Sequence, residues 1–203
     1  MYPNLNLGDN TKDFNNVWGF PNLSGSILVP ESAVQKTQDG GFSYLTYNPT
    51  EGSKDWFRFF LVPDTDTPNM TKITVKPNTN YTFSVWLKGT GQHTIYAFND
   101  WTATNTPWNL DINLTSDWKL YTFTVISKDV LPNNNIQFFI RSNNGTEINL
   151  KKPKVEEGTV ATPWTLSANE ADPPDYPGYI GKYVGQIGSV QSTNYLDYDW
   201  FKA

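Results

Sequence analysis

Three alternating stretches of the sequence carry aromatic, arginine and amide residues at the positions opposite their apolar ones. The stretches are 54–61 (KDWFRFFL), 80–88 (NYTFSVWLK) and 135–141 (NIQFFIR), and at period two each offers one apolar face. The alternate positions, expected together on the other face of one sheet, hold Trp56, Arg58, Trp86, Gln137, Phe139 and Arg141. Aromatic rings stack on the apolar faces of sugars, and guanidinium groups hold hydroxyls or anions in fixed geometry. These residues therefore predict a saccharide-binding groove.

A second set of candidate binding residues lies in the stretch 99–110 (NDWTATNTPWNL), which is too polar and too proline-broken to be core. Its Trp101 and Trp108 would stand on a loop, and loops on rigid scaffolds carry function. For both sets a structural role is the alternative. The outward residues of the strands would then lie beneath the leading or closing segment, and the loop tryptophans would cap the edge of the fold.

The residues with catalytic potential do not form a recognisable arrangement. Glycoside hydrolysis needs two carboxylates roughly 5–10 Å apart in one groove. Asp64 and Asp66 fall in a proline-flanked turn (VPDTDTP), where aspartate is favoured for turn geometry. The single histidine, His93, follows two glycines near a strand start, which favours a structural role over a Ser-His-Asp arrangement. We therefore expect a protein that is not an enzyme.

The composition narrows the kinds of partner. The 203 residues carry a net charge of −5 without a basic cluster, whereas a nucleic-acid backbone demands a cationic surface. We recognise neither an apolar run long enough to span a membrane nor a signal peptide, and cysteine is absent, which excludes disulfides and thiol chemistry. We expect no nucleic acid and no membrane insertion, and a neutral partner fits better.

The position of every candidate residue depends on an all-β fold. Short runs rich in β-branched and aromatic residues alternate with Gly, Pro, Asn and Asp, a pattern typical of a β-sandwich. The predicted strands are 23–29, 42–47, 54–61, 71–76, 80–88, 93–99, 118–126, 135–141 and 146–155. Alternation within three of them predicts a core that contains Phe83, Val85, Phe123, Phe138 and Ile140.

Two phrases of sequence flank these strands. The closing phrase consists of Lys154, Glu156, Gly158, Ala161, Thr162, Pro163, Trp164 and Thr165. The opening phrase, a partial match, consists of Asn4, Leu5, Leu7, Gly8, Asp13 and Phe14. Both resemble phrases in the carbohydrate-binding modules of phage tail and baseplate proteins, and the strand order resembles carbohydrate-binding jelly rolls of the family-4 and family-9 type. The resemblance covers residues 1–166 and implies a jelly-roll β-sandwich of the galactose-binding-like class.

The remaining residues form an appendage in this interpretation. Residues 167–177 make a linker rich in proline and aspartate, which cannot hold a regular element. Residues 178–203 resemble a short β segment of phage tail fibre and baseplate proteins, matched by Tyr179, Ile180, Gly181, Tyr183, Gln191, Ser192, Thr193, Tyr198 and Trp200. The resemblance implies a small C-terminal β appendage for docking or connection.

The two resemblances imply an accessory baseplate protein of a siphophage that infects Gram-positive bacteria. It would adhere, without catalysis, to host cell-wall polysaccharide, and it would be made in the host cytoplasm and carried in the virion beside other baseplate and tail subunits. The alternative is a structural connector whose aromatic face docks another virion subunit. A polysaccharide-degrading enzyme is the third hypothesis.

Calcium is the only cofactor that the resemblance brings into consideration. Related jelly rolls often hold a structural calcium ion between the leading loop and the last strand, and Asp9, Asp13 and Glu147 would be its ligands here. Lys151 and Lys152 stand where many such modules carry acidic residues. We therefore expect no cofactor.

Overall fold

A computed structural model of the chain describes eleven strands. It describes residues 5–8, 11–14, 34–47, 56–60, 75–99, 109–131, 136–142, 147–168, 170–171, 179–184 and 198–202. The strands are β1 (Val34–Asp39), β2 (Phe42–Tyr47), β3 (Trp56–Phe60), β4 (Asn80–Gly89), β5 (Gln92–Asn99), β6 (Asn109–Asn113), β7 (Lys119–Ile126), β8 (Ile136–Ser142), β9 (Ile148–Glu157), β10 (Tyr179–Tyr183) and β11 (Tyr198–Lys202). These ranges contain no helix, and hence none that is long and apolar enough to cross a membrane.

Nine of the strands form the two sheets of a β-sandwich. One sheet has five strands in the order β1-β2-β9-β4-β7, and the other has four in the order β3-β8-β5-β6. Every neighbouring pair is antiparallel. Since strands adjacent in the chain are distributed between the two sheets, the order is that of a jelly roll. The predicted fold class is therefore confirmed.

The core lies between the two sheets. From the five-stranded sheet, Phe83 and Val85 are fully buried, and from the four-stranded sheet, Ile95 and Ile140 are buried against them in the same hydrophobic cluster. Phe123 is buried as well. Four of the five predicted core residues are thus confirmed, and the side chain of the fifth, Phe138, lies outside the described part of the structure.

Seven of the nine predicted strands are present with ends shifted by at most two residues, as β2, β3, β4, β5, β7, β8 and β9. Strand 23–29 lies outside the described residues. Of strand 71–76 only Val75 and Lys76 are described, and they precede β4 without belonging to a strand.

Strands β1 and β6 are absent from the predicted set. Strand β1 is an edge strand with mostly exposed side chains. Its sequence VQKTQD therefore has a single apolar residue and shows no alternation of apolar and polar positions. The sequence NLDIN of β6 was assigned in part to the tryptophan loop 99–110, because Asn and Asp are typical of turns.

Two glycine sites shape the chain around the five-stranded sheet. Gly40 and Gly41 have φ of 60° and 93° and form the two-residue turn between β1 and β2 that a hairpin requires. Gly89 ends β4 with φ of 153°, and a Cβ atom there would fall on the backbone carbonyl oxygen of Glu147.

Residues 158–168, here called the closing strap, follow β9. They are anchored by side chains of β9 that face away from the core: Lys154 Nζ donates to Thr162 Oγ1 (2.6 Å) and to the Pro163 carbonyl oxygen (2.9 Å). Glu156 accepts from the backbone N–H of Thr162 (2.8 Å) and from its hydroxyl (2.6 Å). The closing phrase recognised in the sequence is thus a strap tied to the last strand of the sandwich.

The leading residues are tied to β9 and to the end of the strap. The Asn6 side chain donates to the Pro153 carbonyl oxygen (3.0 Å) and accepts from the Val155 N–H (3.1 Å), and the Asn6 backbone bridges Ser167. The Glu170 carboxylate accepts from the N–H of Thr11 (2.6 Å). The opening and closing phrases are therefore neighbours in space.

The C-terminal residues include a separate antiparallel pair, β10 with β11. Tyr179 pairs with Lys202 and Tyr183 with Tyr198. The predicted division into sandwich, linker and appendage stays a prediction.

Candidate functional site

The outward face of the four-stranded sheet carries three cross-strand rows of residues. Ile140 and Ile95 are paired and buried, so strand alternation assigns their immediate neighbours to the opposite, outward face. The first row consists of Trp56, Arg141, Thr94 and Asp111. The second consists of Arg58, Phe139, Tyr96 and Asn109. The third consists of Phe60, Gln137 and Phe98.

Where the side chains of these rows are described, they combine an aromatic ring with polar groups. Tyr96 is half-buried, and Asn109 and Asp111 are exposed on the edge strand β6. The Thr94 hydroxyl donates to Asp111 Oδ1 at 2.8 Å, which fixes that carboxylate on the sheet surface. An aromatic platform flanked by amide and carboxylate groups offers both stacking and hydrogen bonds to a polyhydroxylated ligand.

Backbone register puts five of the eight sequence-predicted site residues at positions of this face, and their side chains lie outside the described part of the structure: Trp56, Arg58, Gln137, Phe139 and Arg141. Backbone register brings both arginines of the chain onto it, Arg141 opposite Trp56 and Arg58 opposite Phe139. Trp101 and Trp108 lie outside the described residues.

Trp86 does not belong to this face, and the prediction of one shared face was wrong for it. It lies in β4 of the five-stranded sheet, paired with Leu120 and Lys151. Alternation in a sequence tells inward from outward but not one sheet of a sandwich from the other. The sequence pattern predicts that Trp86 and Arg141 both face away from the core. Their strands, however, belong to the two opposite sheets of the sandwich.

The outward face of the five-stranded sheet holds an arrangement that the sequence analysis missed. Three lysines and four aromatic residues alternate in space, in the order Tyr44, Lys88, Trp118, Lys151, Phe42, Lys152 and Trp164. We call these seven residues the lysine–aromatic stack. They come from five separate stretches of the chain, so no local sequence pattern predicts the cluster.

Within the stack each ammonium group lies over two rings. Lys88 Nζ is 5.6 Å from the centre of Tyr44 and 5.0 Å from that of Trp118. Lys151 Nζ is 4.3 Å from Trp118 and 5.3 Å from Phe42. These distances are typical of cation–π contacts.

The third lysine continues the same pattern at the strap. Lys152 Nζ is 3.9 Å from the centre of Phe42 and 5.5 Å from that of Trp164, and the two rings are 6.5 Å apart. Burial lowers the pKa of Lys152, the neighbouring charge of Lys151 lowers it further, and Asp39 acts in the opposite direction. The stack is therefore an electropositive site in which the charge of Lys151 disfavours that of Lys152.

The potential catalytic and metal-binding residues that the structure describes make contacts away from these two faces, and Asp64 and Asp66 lie outside the described residues. His93 is buried in the sandwich with Nε2 2.9 Å from the Thr90 carbonyl oxygen, and its burial lowers its pKa. Asp13 Oδ1 accepts from the Ser43 hydroxyl (3.3 Å), and Glu147 Oε1 accepts from the Asn149 amide (2.7 Å). Asp9 lies outside the described residues, and no group of three or more His, Cys, Asp and Glu suited to a metal ion occurs among those the structure describes.

The comparisons with known proteins bear on the fold. No protein-family model matches the chain, and no curated protein matches it. A solved structure of the tripod from the baseplate of bacteriophage Tuc2009 is similar to it, with a TM-score of 0.50 and 25% identity over 100% of this chain and 72% of that one. The chain thus shares its fold with a phage baseplate protein along its whole length.

Two other solved structures are similar to the chain with lower TM-scores. The enzymatically active domain of tailspike protein 4 of bacteriophage CBA120 has a TM-score of 0.47 and 16% identity over 76% of this chain and 22% of that one. A family-61 carbohydrate-binding module in complex with β-1,4-galactotriose has a TM-score of 0.45 and 11% identity over 75% and 99%.

Proposed function

We propose that this chain is a non-catalytic carbohydrate-binding protein of a phage baseplate or tail, which adheres to host cell-wall polysaccharide. The observation that carries the proposal is the row structure of the four-stranded sheet. Trp56 with Arg141, and Arg58 with Phe139 and Tyr96, form adjacent cross-strand positions on one outward face. Such alternation of aromatic and guanidinium groups suits sugar rings that present an apolar face and polar edges.

In this proposal Trp56 and Tyr96 are stacking platforms, and Arg58, Arg141 and Gln137 are hydrogen-bond donors to sugar hydroxyls. Phe139 lies between them in the same rows, and Trp101 or Trp108 supplies a wall. Trp86 is left out of the groove because its strand belongs to the other sheet.

The virion context is supported by the likeness to the Tuc2009 baseplate tripod, which extends over the whole of this chain. A virion also supplies what a shallow groove lacks. Exchange of water for sugar hydroxyls gains little at a single site, and many copies on one particle raise avidity by about 10²–10⁴ over the single-site affinity. We therefore expect weak binding by the isolated chain and firm binding by a multivalent display.

The second candidate is a structural connector, and the pair β10–β11 favours it. Among the described residues β10 and β11 pair only with each other, and a two-stranded pair is marginal in water unless a neighbouring surface supports it. That surface would be supplied by the sandwich or by another virion subunit.

The test compares variants on a multivalent display of the chain against cell-wall polysaccharide of Gram-positive bacteria. Trp56→Ala and Arg141→Ala should each weaken binding about tenfold, whereas Lys76→Ala, in an exposed ion pair that belongs to neither candidate site, should bind like the parent. An unchanged thermal transition for each variant shows that the fold is intact. Normal binding by Trp56→Ala, Arg141→Ala and Tyr96→Ala together would favour the connector.

A further inference from the structure

The lysine–aromatic stack concentrates positive charge on one face of an acidic protein. The chain has a net charge of −5, yet Lys88, Lys151 and Lys152 lie together on the outward side of the five-stranded sheet. Among the described residues, one carboxylate forms an ion pair with these lysines: Asp39 Oδ2 is 3.2 Å from Lys151 Nζ. Within the part of the chain that the structure describes, neither Lys88 nor Lys152 has a carboxylate at ion-pair distance.

The ammonium groups of the stack are already ordered. Each lies over two rings, and Tyr44 and Trp118 are themselves packed edge to face at 5.7 Å. A free lysine loses rotamer freedom when it is fixed by a ligand, which weakens binding. Lysines that the protein has fixed beforehand avoid much of that cost, so an anion gains more from contact with them.

An anion would also relieve an unfavourable feature of the free protein. Lys151 and Lys152 contact the same ring, Phe42, and the charge of Lys151 contributes to the lowered pKa of Lys152. Each ammonium carries three N–H donors, of which a ring face engages only part. A negatively charged group at the stack would compensate the repulsion and accept the remaining donors.

The surface beside the stack indicates which class of anionic ligand would bind there. Trp86 is half-buried next to Lys151, Leu120 beyond it is 40% exposed, and Thr122 is exposed on the same strand. An aromatic ring, an apolar side chain and a hydroxyl beside lysines suit a ligand with sugar rings as well as negative charge. Nucleic acid is disfavoured because the net charge of the chain is negative.

We propose that the lysine–aromatic stack, with Trp86 at its side, binds an acidic polysaccharide through the carboxylate or phosphate groups of its sugars. This site is distinct from the proposed groove on the four-stranded sheet and does not depend on it. With one site on each wall of the sandwich, the chain would engage two segments of polysaccharide at once.

The experiment measures binding of the full chain to polygalacturonate and to its fully methyl-esterified form, which has the same sugars without the charge. We expect the acidic form to bind at least about tenfold more tightly, and the Lys88→Gln, Lys152→Gln double variant to lose about tenfold in affinity. Asp39→Asn, which removes the one compensating carboxylate, should strengthen binding. Lys76→Gln is the charge-matched control, because Lys76 pairs with Glu157 near the other end of β4.

Three outcomes would overturn the proposal. The first is equal binding of the acidic and esterified polymers. The second is unchanged binding by both the double variant and Asp39→Asn; the latter keeps the test valid if the double variant fails to fold. The third is equally tight binding of poly-L-glutamate, which would identify the ligand as an acidic protein segment. The acidic and esterified polymers differ only in charge, so failure of the stack is separable from failure of the groove, which Trp56→Ala and Arg141→Ala test with cell-wall polysaccharide.

Discussion

Lys154 Nζ lies 3.4 Å from Glu156 Oε2, and both side chains are completely buried between β9 and the closing strap. Taking two charges out of water costs several kcal/mol per ion unless the pair is well hydrogen-bonded. Here Thr162 bonds to both partners, and the Pro163 carbonyl oxygen takes a further donor of the ammonium group. The ion pair therefore fixes the strap to the last strand.

Removal of one partner of this pair should destabilise the protein strongly. Glu156→Ala leaves the Lys154 ammonium buried without its counter-ion and the Thr162 N–H without its acceptor, so the free energy of unfolding should fall by about 3–5 kcal/mol. Denaturant unfolding measures it. The control is Glu157→Ala in the exposed pair with Lys76, which should change stability far less because exposed ion pairs contribute little. Equal losses for the two variants would show that the buried pair does not hold the strap.

For these residues the sequence predicted a recognisable phrase but not the contacts that its side chains make. The phrase containing Lys154, Glu156 and Thr162 was recognisable by residue type. Its function as a hydrogen-bonded strap was not, because a lysine and a glutamate two apart on a strand are usually both exposed. Core residues such as Phe83 were predictable, because alternation and burial are linked directly.

Of the two candidate sites, the sequence predicted the residues of one and not those of the other. The pairing of Trp56 with Arg141 and of Arg58 with Phe139 requires only alternation and neighbouring strands, so the sequence predicted a common face for them. The stack depends on which strands are neighbours in the five-stranded sheet and on a bulge in β9, where the pairing with β4 shifts between Ser84 and Trp86. Lys152 adopts φ of 51° in that irregular stretch, and alternation alone predicts no such position.

Gly89 should tolerate no side chain. In Gly89→Ala the new methyl group would meet the Glu147 carbonyl oxygen, and φ of 153° is strained for any other residue. The backbone around Glu147 must shift, so we expect a loss of about 3 kcal/mol or more in the free energy of unfolding.

Gly40→Ala is the matched control for this prediction. Gly40 has φ of 60° and nothing within 4 Å of the added atom, so its alanine variant should lose only about 1–2 kcal/mol from backbone conformation. Thermal or denaturant unfolding of both variants measures the difference. A Gly89 variant no less stable than the Gly40 variant would contradict the close approach to Glu147.

His93 should make stability depend on pH between neutral and mildly acidic conditions. Burial lowers its pKa below the ordinary 6.5, so the unfolded chain binds a proton at a pH where the folded chain does not. Its contribution to stability is complete above pH 6.5 and is lost as the pH falls from there toward the lower folded pKa, at up to about 1.4 kcal/mol per pH unit. Unfolding of the parent and of His93→Gln at pH 7.5, 6.5 and 5.5 isolates the effect, because carboxylates contribute equally to both. A constant difference in stability across this range would rule out a buried neutral histidine.

The sandwich should fold without its C-terminal pair, provided that the chain is cut at the right residue. The sequence analysis ended the domain at Leu166, but Ser167 bridges Asn6, and Glu170 accepts from the Thr11 N–H and hydroxyl and from the Lys12 N–H. We therefore propose a boundary after Ala171. A chain ending at Ala171 should unfold close to the full-length transition.

A chain ending at Leu166 should be less stable by about 2 kcal/mol or more, because hydrogen bonds to a charged group are worth about 1.5–3 kcal/mol. The point variant Glu170→Ala in the full chain should reproduce much of that loss, which assigns it to the carboxylate rather than to the truncation. Scanning calorimetry of the two truncated chains and the point variant provides the comparison. If the chain ending at Ala171 is already unfolded, the β10–β11 pair contributes to the sandwich itself, and its role as a separable appendage fails.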